Sequence, residues 1–275
     1  MRDLIKTNLR FTTFNKFTAI IALLLFYQTL VVIGPRTGSG WLLRDYKCAL
    51  VVTCAAVLVK SERDKHSGFY RNMIASGYLR RQVLAAHLIS CALYGGMLFL
   101  CAAIPLSAAM PSPYGFVTNA MVFMFCSMIV GCVSMLMNNI YCIVLVILTI
   151  GLVYVSIDSL IFEPLYQTKY EYIYVDEYDC IDNEFGHIKQ IDNRHYVGGA
   201  RRTIYKTLAF MNPISQMNYT EVATKEVIDF DNDYYYLSKN KNPMINELIF
   251  PLVTLGMMAV LTAGVYIYYR KKDLF

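Results

Sequence analysis

Long apolar blocks separated by short charged stretches run along most of this chain. A helix rises about 1.5 Å per residue, so crossing a bilayer core of ~30 Å takes roughly 20 residues. Four blocks meet that length: Gln82 to Ile104, Phe116 to Met137, Tyr141 to Phe162 and Leu248 to Tyr269. A fifth, Phe17 to Ile33, is shorter, and Gln28 is its one strongly polar member. The sixth is interrupted: only twelve uncharged residues separate Lys47 from Lys60. Extending it back to Trp41 reaches span length and brings in Arg44, Asp45 and Lys47. Long basic side chains snorkel toward the interface, so Trp41–Lys60 is read as a span. The pattern predicts an all-α polytopic membrane protein with six transmembrane helices.

The pattern changes character at both ends of this set. Arg2, Lys6 and Arg10 recur every four residues and share one helical face, which predicts an amphipathic helix over 1–16 lying at the membrane surface. No small-x-small cleavage site follows the first apolar block, so it is read as a retained helix. The region 163–243 breaks the apolar run and holds eleven of the 22 tyrosines. Tyr170 to Asp176 alternates as a strand does, Asn183 to Gly186 offers a turn, and His187 to Val197 is expected to return as a second strand. Arg201 to Met211 reads as a helix stopping at Asn212-Pro213. A small α+β insertion between helices five and six is therefore expected. The organisation is 1–16 surface helix, 17–162 helices one to five with a loop at 60–81, 163–243 insertion, and 244–275 last helix and tail.

Charge fixes an orientation. Residues 163–243 carry 13 acids and 9 bases, and the rest of the chain carries 16 bases and 7 acids. Basic excess gathers at three places: the first sixteen residues, Lys60 to Arg81 with six lysines and arginines, and Arg270-Lys271-Lys272. Six spans put all three on one side, which the positive-inside rule makes the cytoplasm. Both termini are then cytoplasmic and the insertion is extracellular. The split of charge, rather than one basic surface, argues against a nucleic-acid partner.

Candidate chemistry is sparse. Seven of the eight cysteines fall in apolar blocks, with Cys180 in the polar region, and no C-x-x-C metal spacing occurs. There is no phosphate loop, zinc-protease motif or nucleophile elbow, so no catalytic site, cofactor or metal is expected in this chain. His87, just inside the third span, is read as an interfacial or helix-packing residue. Asp158, Glu163 and Glu247 lie near outer helix ends, where solvated carboxylates cost little. Together with Arg44, Asp45 and Lys47 they form the expected outer vestibule. Asn218-Tyr219-Thr220 matches the three-residue glycosylation pattern, a weak signal.

The stretch Glu62 to Leu88 is the most informative. Glu62 and Gly68 follow the second span, and Ser76 and Arg80 lead into the third. This resembles the cytoplasmic loop of ABC-2-type transporter permeases. Met211-Asn212-Pro213-Ile214 is similar to an Asn-Pro element of that family, and Arg270 to Leu274 to its basic ending. Gly77 replaces a proline often found after the serine, and His87 stands where lysine is common. The resemblance implies a permease subunit pairing with a second copy, identical or paralogous, in a bacterial plasma membrane. It implies separate cytosolic ABC ATPase subunits that bind ATP and magnesium. Glu62, Arg63, Gly68, Phe69, Tyr70, Arg71 and Met73 are then the expected ATPase-coupling residues. Phe69, Tyr70 and Met73 would anchor in a groove of the ATPase, and Glu62, Arg63 and Arg71 would give polar register.

The apolar blocks are rich in Met, Phe, Tyr and Cys and carry no mid-bilayer charge pair. That composition favours an amphipathic cargo over an ion or polar solute, and the layout resembles exporters of amphipathic peptides or bacteriocins. Export of a hydrophobic drug or lipid-like molecule is the alternative, as is a non-transporting receptor with a tyrosine-rich outer domain.

Overall fold

The computed structural model describes residues 16–33, 39–103, 113–167, 169–179, 184–224 and 249–271, with Ile5 and Thr7 as isolated helical positions. Nine helices are defined among the described residues: α1 Lys16–Ile33, α2 Ser39–His66, α3 Phe69–Ala75, α4 Arg80–Ala103, α5 Pro113–Leu136, α6 Ile140–Tyr166, α7 Gly199–Met211, α8 Pro213–Thr224 and α9 Ile249–Lys271. Two strands, β1 Tyr170–Asp179 and β2 Glu184–Asp192, lie between α6 and α7. Four helices are long and apolar enough to cross a membrane: α4, α5, α6 and α9. The apolar part of α1 is shorter. α2 runs 28 residues without a break, through Arg44, Asp45 and Lys47 and on past Lys60 to His66. Its charges keep it outside that set of four. The expected surface helix at 1–16 falls outside the described residues, apart from Ile5, Thr7 and Lys16.

The core forms around α4 and α5, with α1 and α2 packed against them. Tyr94, Leu98 and Phe99 of α4 and Phe123 of α5 are fully buried at its centre. The Phe99 ring lies 5.0 Å from Phe123 and 5.2 Å from Phe116. Glycine sets how near these helices come. A Cβ on Gly95 would stand 2.0 Å from Ser127 Oγ and 3.0 Å from the Phe123 carbonyl oxygen. One on Gly131 would stand 2.8 Å from Cys91 Sγ. The hydroxyls of Thr18 and Tyr94, 3.1 Å apart, tie α1 to α4.

The insertion forms elements near the positions that its sequence predicts. β1 and β2 pair antiparallel, with Tyr170 opposite Asp192 and Val175 opposite His187, and the register shifts between Val175 and Tyr178. The return strand stops at Asp192 instead of Val197. Asn193 ends it: its amide N–H donates to the Lys169 carbonyl at 3.0 Å, its side chain accepts from His195 N–H at 2.8 Å, and its Nδ2 donates to Gln167 Oε1 at 2.8 Å. These bonds turn the chain and fasten the strand pair to the end of α6.

Beyond the strands, α7 runs back along α6. Arg202 near its start donates to the Leu165 carbonyl at 3.2 Å. Ala209 packs with Ile161, Leu165 and Phe250. Asn212 donates through Nδ2 to the Tyr154 carbonyl at 2.8 Å. From Leu165 to Tyr154 is eleven residues, about 16 Å along the helix. Asn212 then caps a further helix, accepting from Ile214 N–H at 3.0 Å, with Pro213 in the first helical position. This helix, α8, was not visible as an element in the sequence. Its Met217 is fully buried and joins the central core. α7 and α8 thus form a helical hairpin whose tip sits against the middle of α6.

α6 and α9 are the peripheral helices. In the most apolar stretch of each, 6% of α6 and 17% of α9 is buried, against 67% of α4 and 56% of α5. Replacing Gly95 by valine should wedge α4 from α5 and cost about 1–3 kcal/mol, read as a lower thermal unfolding midpoint in detergent. Gly256→Val on α9, where an added Cβ meets nothing within 4 Å, should leave the midpoint unchanged.

Candidate functional site

The candidate coupling segment is a seven-residue helix, α3, hung between two turns. Gly68 on one side has φ +71° and Gly77 on the other has φ +90°. Both are left-handed conformations that strain any residue with a Cβ, which explains glycine at 68 and at 77, where the resembling family often has proline. The Gly68 carbonyl accepts from Asn72 N–H at 2.9 Å to open the helix, and Ser76 N–H donates to the Asn72 carbonyl at 3.0 Å to close it.

α3 is held to the helix bundle by a buried side chain. Tyr70 is only 8% exposed, and its hydroxyl lies 2.8 Å from Nδ1 of His87, itself fully buried on α4. Burial pushes the Tyr70 phenol well above its usual range, with the Asp64 and Glu62 carboxylates adding to the effect. The phenol therefore keeps its proton and can donate to Nδ1, which leaves Nε2 as the imidazole donor. Nε2 faces Ser61 Oγ of α2 at 3.5 Å and Cys91 Sγ at 3.4 Å. One imidazole thus bridges α2, α3 and α4, a helix-packing role.

A second set of polar contacts surrounds it. Glu62, 8% exposed, accepts from Ser134 of α5 at 2.8 Å and from Lys65 at 2.9 Å. Lys65 also donates to the Met137 carbonyl at 2.7 Å. Lys60 pairs with Asp64 at 3.3 Å. Burial raises the Asp64 carboxyl above the usual range, partly offset by Lys60 and Arg63. The end of α2 is thereby bonded to the end of α5 as well as to α3 and α4.

The seven coupling residues divide in two. Glu62 and Tyr70 turn inward and are spent on contacts within the chain. Tyr70 is therefore an anchor for α3 on its own bundle, not a side chain presented to a partner's groove. Arg63 and Arg71 are exposed, and Phe69, Met73 and Gly68 are half-buried. The outward face of this region is basic, with His66 and Asn72 also exposed. Sequence reasoning missed Ser61, Cys91 and Ser134, which look like ordinary small helix residues until the helices are assembled.

Of the residues assigned to an outer vestibule, Lys47, half-buried on α2, and Asp158, on α6, are described with their side chains. Glu247 lies outside the described residues, and Arg44, Asp45 and Glu163 are placed only by their backbones, on α2 and α6. Asp158 is the exception to the expected solvation. It is 8% exposed and accepts from Ser215 at 2.7 Å and from Asn218. Asn218 is consequently buried, so the glycosylation pattern is not a usable acceptor in this fold. Nearby, the Thr254 hydroxyl of α9 donates to Gln216 Oε1 at 2.7 Å. No group of three or more metal-ligating side chains occurs among the described residues.

No protein-family model matches this chain, and no curated protein matches it significantly. Tyr70→Phe should leave His87 Nδ1 unpaired, at a cost of about 1–3 kcal/mol. Faster amide exchange in Phe69–Ala75, with little change in α5, is the expected reading. Equal exchange in the two proteins would show that this bond does not hold α3.

Proposed function

We propose that this chain is the transmembrane permease subunit of an ATP-driven exporter of the ABC-2 type. The observation that carries the reading is α3: a short helix between two left-handed glycines, bonded through Tyr70 to His87 of α4 beside the end of α2, with Arg71 facing away from the bundle. A load applied to such a helix passes to α4 through His87, from His87 to Ser61 of α2, and from α2 through Glu62 to α5. That is the mechanical requirement for coupling to an ATPase lacking in this chain. The likeness of Glu62–Leu88 to the corresponding permease loop supports the same reading.

In this proposal α1, α2, α4, α5, α6 and α9 are six spans. The α3 end is cytoplasmic, and the strand pair with the α7–α8 hairpin is extracellular. The length and apolar composition of four helices support the membrane assignment, and the charge split supports the orientation. The exposed apolar faces of α6 and α9 suit lipid and a second copy of the permease. Cargo is proposed to be an amphipathic peptide, because the apolar helices offer adaptable Met and aromatic walls.

Purification of the chain from its native membrane should bring down an ATPase, and the reconstituted pair should hydrolyse ATP faster when exportable peptide is present. Gly68→Pro and Phe69→Asp should each abolish that stimulation while the chain still inserts and unfolds at a normal temperature. Peptide-stimulated hydrolysis surviving both substitutions would end the coupling assignment. Peptide binding by a chain that carries no ATPase would favour the receptor instead.

A further inference from the structure

The α7–α8 hairpin occupies an unusual place. Its tip reaches the level of Tyr154, seven residues inside the apolar stretch Ile140–Ile161 of α6. Backbone that turns within the apolar depth of a bundle is tolerated where it is buried in protein or lines an aqueous path. α7 meets α6 and α9 through apolar side chains, whereas α8 meets them through polar ones and the central core through Met217. Asp158 is the single charged side chain in this polar set. Both of its oxygens accept hydrogen bonds from neutral donors of α8. No ion pair to it occurs among the described residues, although Lys47 of α2 adds a favourable field. A buried carboxylate held only by neutral donors, inside an apolar helix, is a functional candidate by default.

The surroundings point the same way. α8 packs on α2 and α5. Those two helices carry buried oxygens with no hydrogen-bond partner: Thr53 on α2, and Thr118, Asn119 and Ser127 on α5. Unpaired buried polar groups are rare, and each calls for a role. Cys54 of α2 and Cys126 of α5 pack against the same core cluster that Met217 of α8 joins.

We propose that the α7–α8 hairpin is a gate closing its end of the helix bundle, and that the Asp158 carboxylate is the latch that seats it on α6. The latch does not rest on the export reading, and neither readout below uses ATP. An amide at 158 has one acceptor oxygen, and its own donor opposes the Asn218 donor, so Asp158→Asn breaks the latch at nearly constant volume. Asp158→Asn with Asn218→Asp returns a carboxylate facing an amide and restores it.

In lipid nanodiscs, Asp158→Asn should speed amide exchange in Pro213–Thr224 by about tenfold, with α4 and α5 unchanged. The double variant should return to the wild-type rate. Exchange in α8 within about twofold of wild type in the single variant would overturn the latch, as would an equal rise across α4 and α5. Both would show a residue of general stability or none. Modification of Cys126 by a membrane-impermeant maleimide, resolved by mass spectrometry, tests the gate. Faster modification in Asp158→Asn supports it. Unchanged modification alongside faster exchange in α8 would overturn the gate.

Discussion

The close crossing of α4 on α5 is the constraint on which the other contacts depend. In a bilayer, apolar side chains gain little by leaving lipid for one another. Helix association therefore rests on fit and on hydrogen bonds. Gly95 admits Ser127 and the Phe123 backbone to a distance that any side chain would prevent, and Gly131 admits Cys91 and His87. The second contact is the consequential one. It leaves room between α4 and α5 for the His87 imidazole, which Tyr70 and Ser61 reach from α3 and α2. Without this approach, α3 would lose its anchor.

Polar clusters then do at the two ends of the bundle what glycine does at its centre. At one end, Glu62, Ser134, Lys65, His87 and Tyr70 join four helices. At the other, Asp158, Ser215, Asn218, Gln216 and Thr254 join α6, α8 and α9. α6 depends heavily on the second cluster, since so little of its apolar stretch is buried. The helices are thus fixed by their ends, with apolar packing concentrated on α1, α2, α4 and α5. A bundle built this way can shift one end relative to the other without opening its core.

Much of this was legible in the sequence, for identifiable reasons. Span-length apolar blocks mark helices because bilayer thickness leaves no other solution, and four meet that demand in both sequence and structure. The Tyr170–Asp176 alternation marked a strand because the two faces of a strand differ. The return strand was placed too late because the Asn193 turn depends on Gln167 and Lys169, which are remote in sequence. α8 was invisible because buried Ser215, Gln216 and Asn218 look like a polar loop until partners on α6 and α9 satisfy them. Asp158 looked solvated for the same reason. Around α3, the left-handed turn at Gly68 and the inward turn of Tyr70 and Glu62 were not legible, because the inward turn depends on His87 and Ser134 lying opposite.

α2 is one uninterrupted helix of 28 residues, about 42 Å from end to end. It passes beside the hairpin at one end and is bonded to α3, α4 and α5 at the other. A rod of that length is a lever. A tilt of about 5° about its midpoint displaces each end by about 2 Å, roughly the difference between a made and a broken hydrogen bond. Small strains at the α3 end are thereby large enough to be felt where α2 meets α8, with no rearrangement of the apolar packing between.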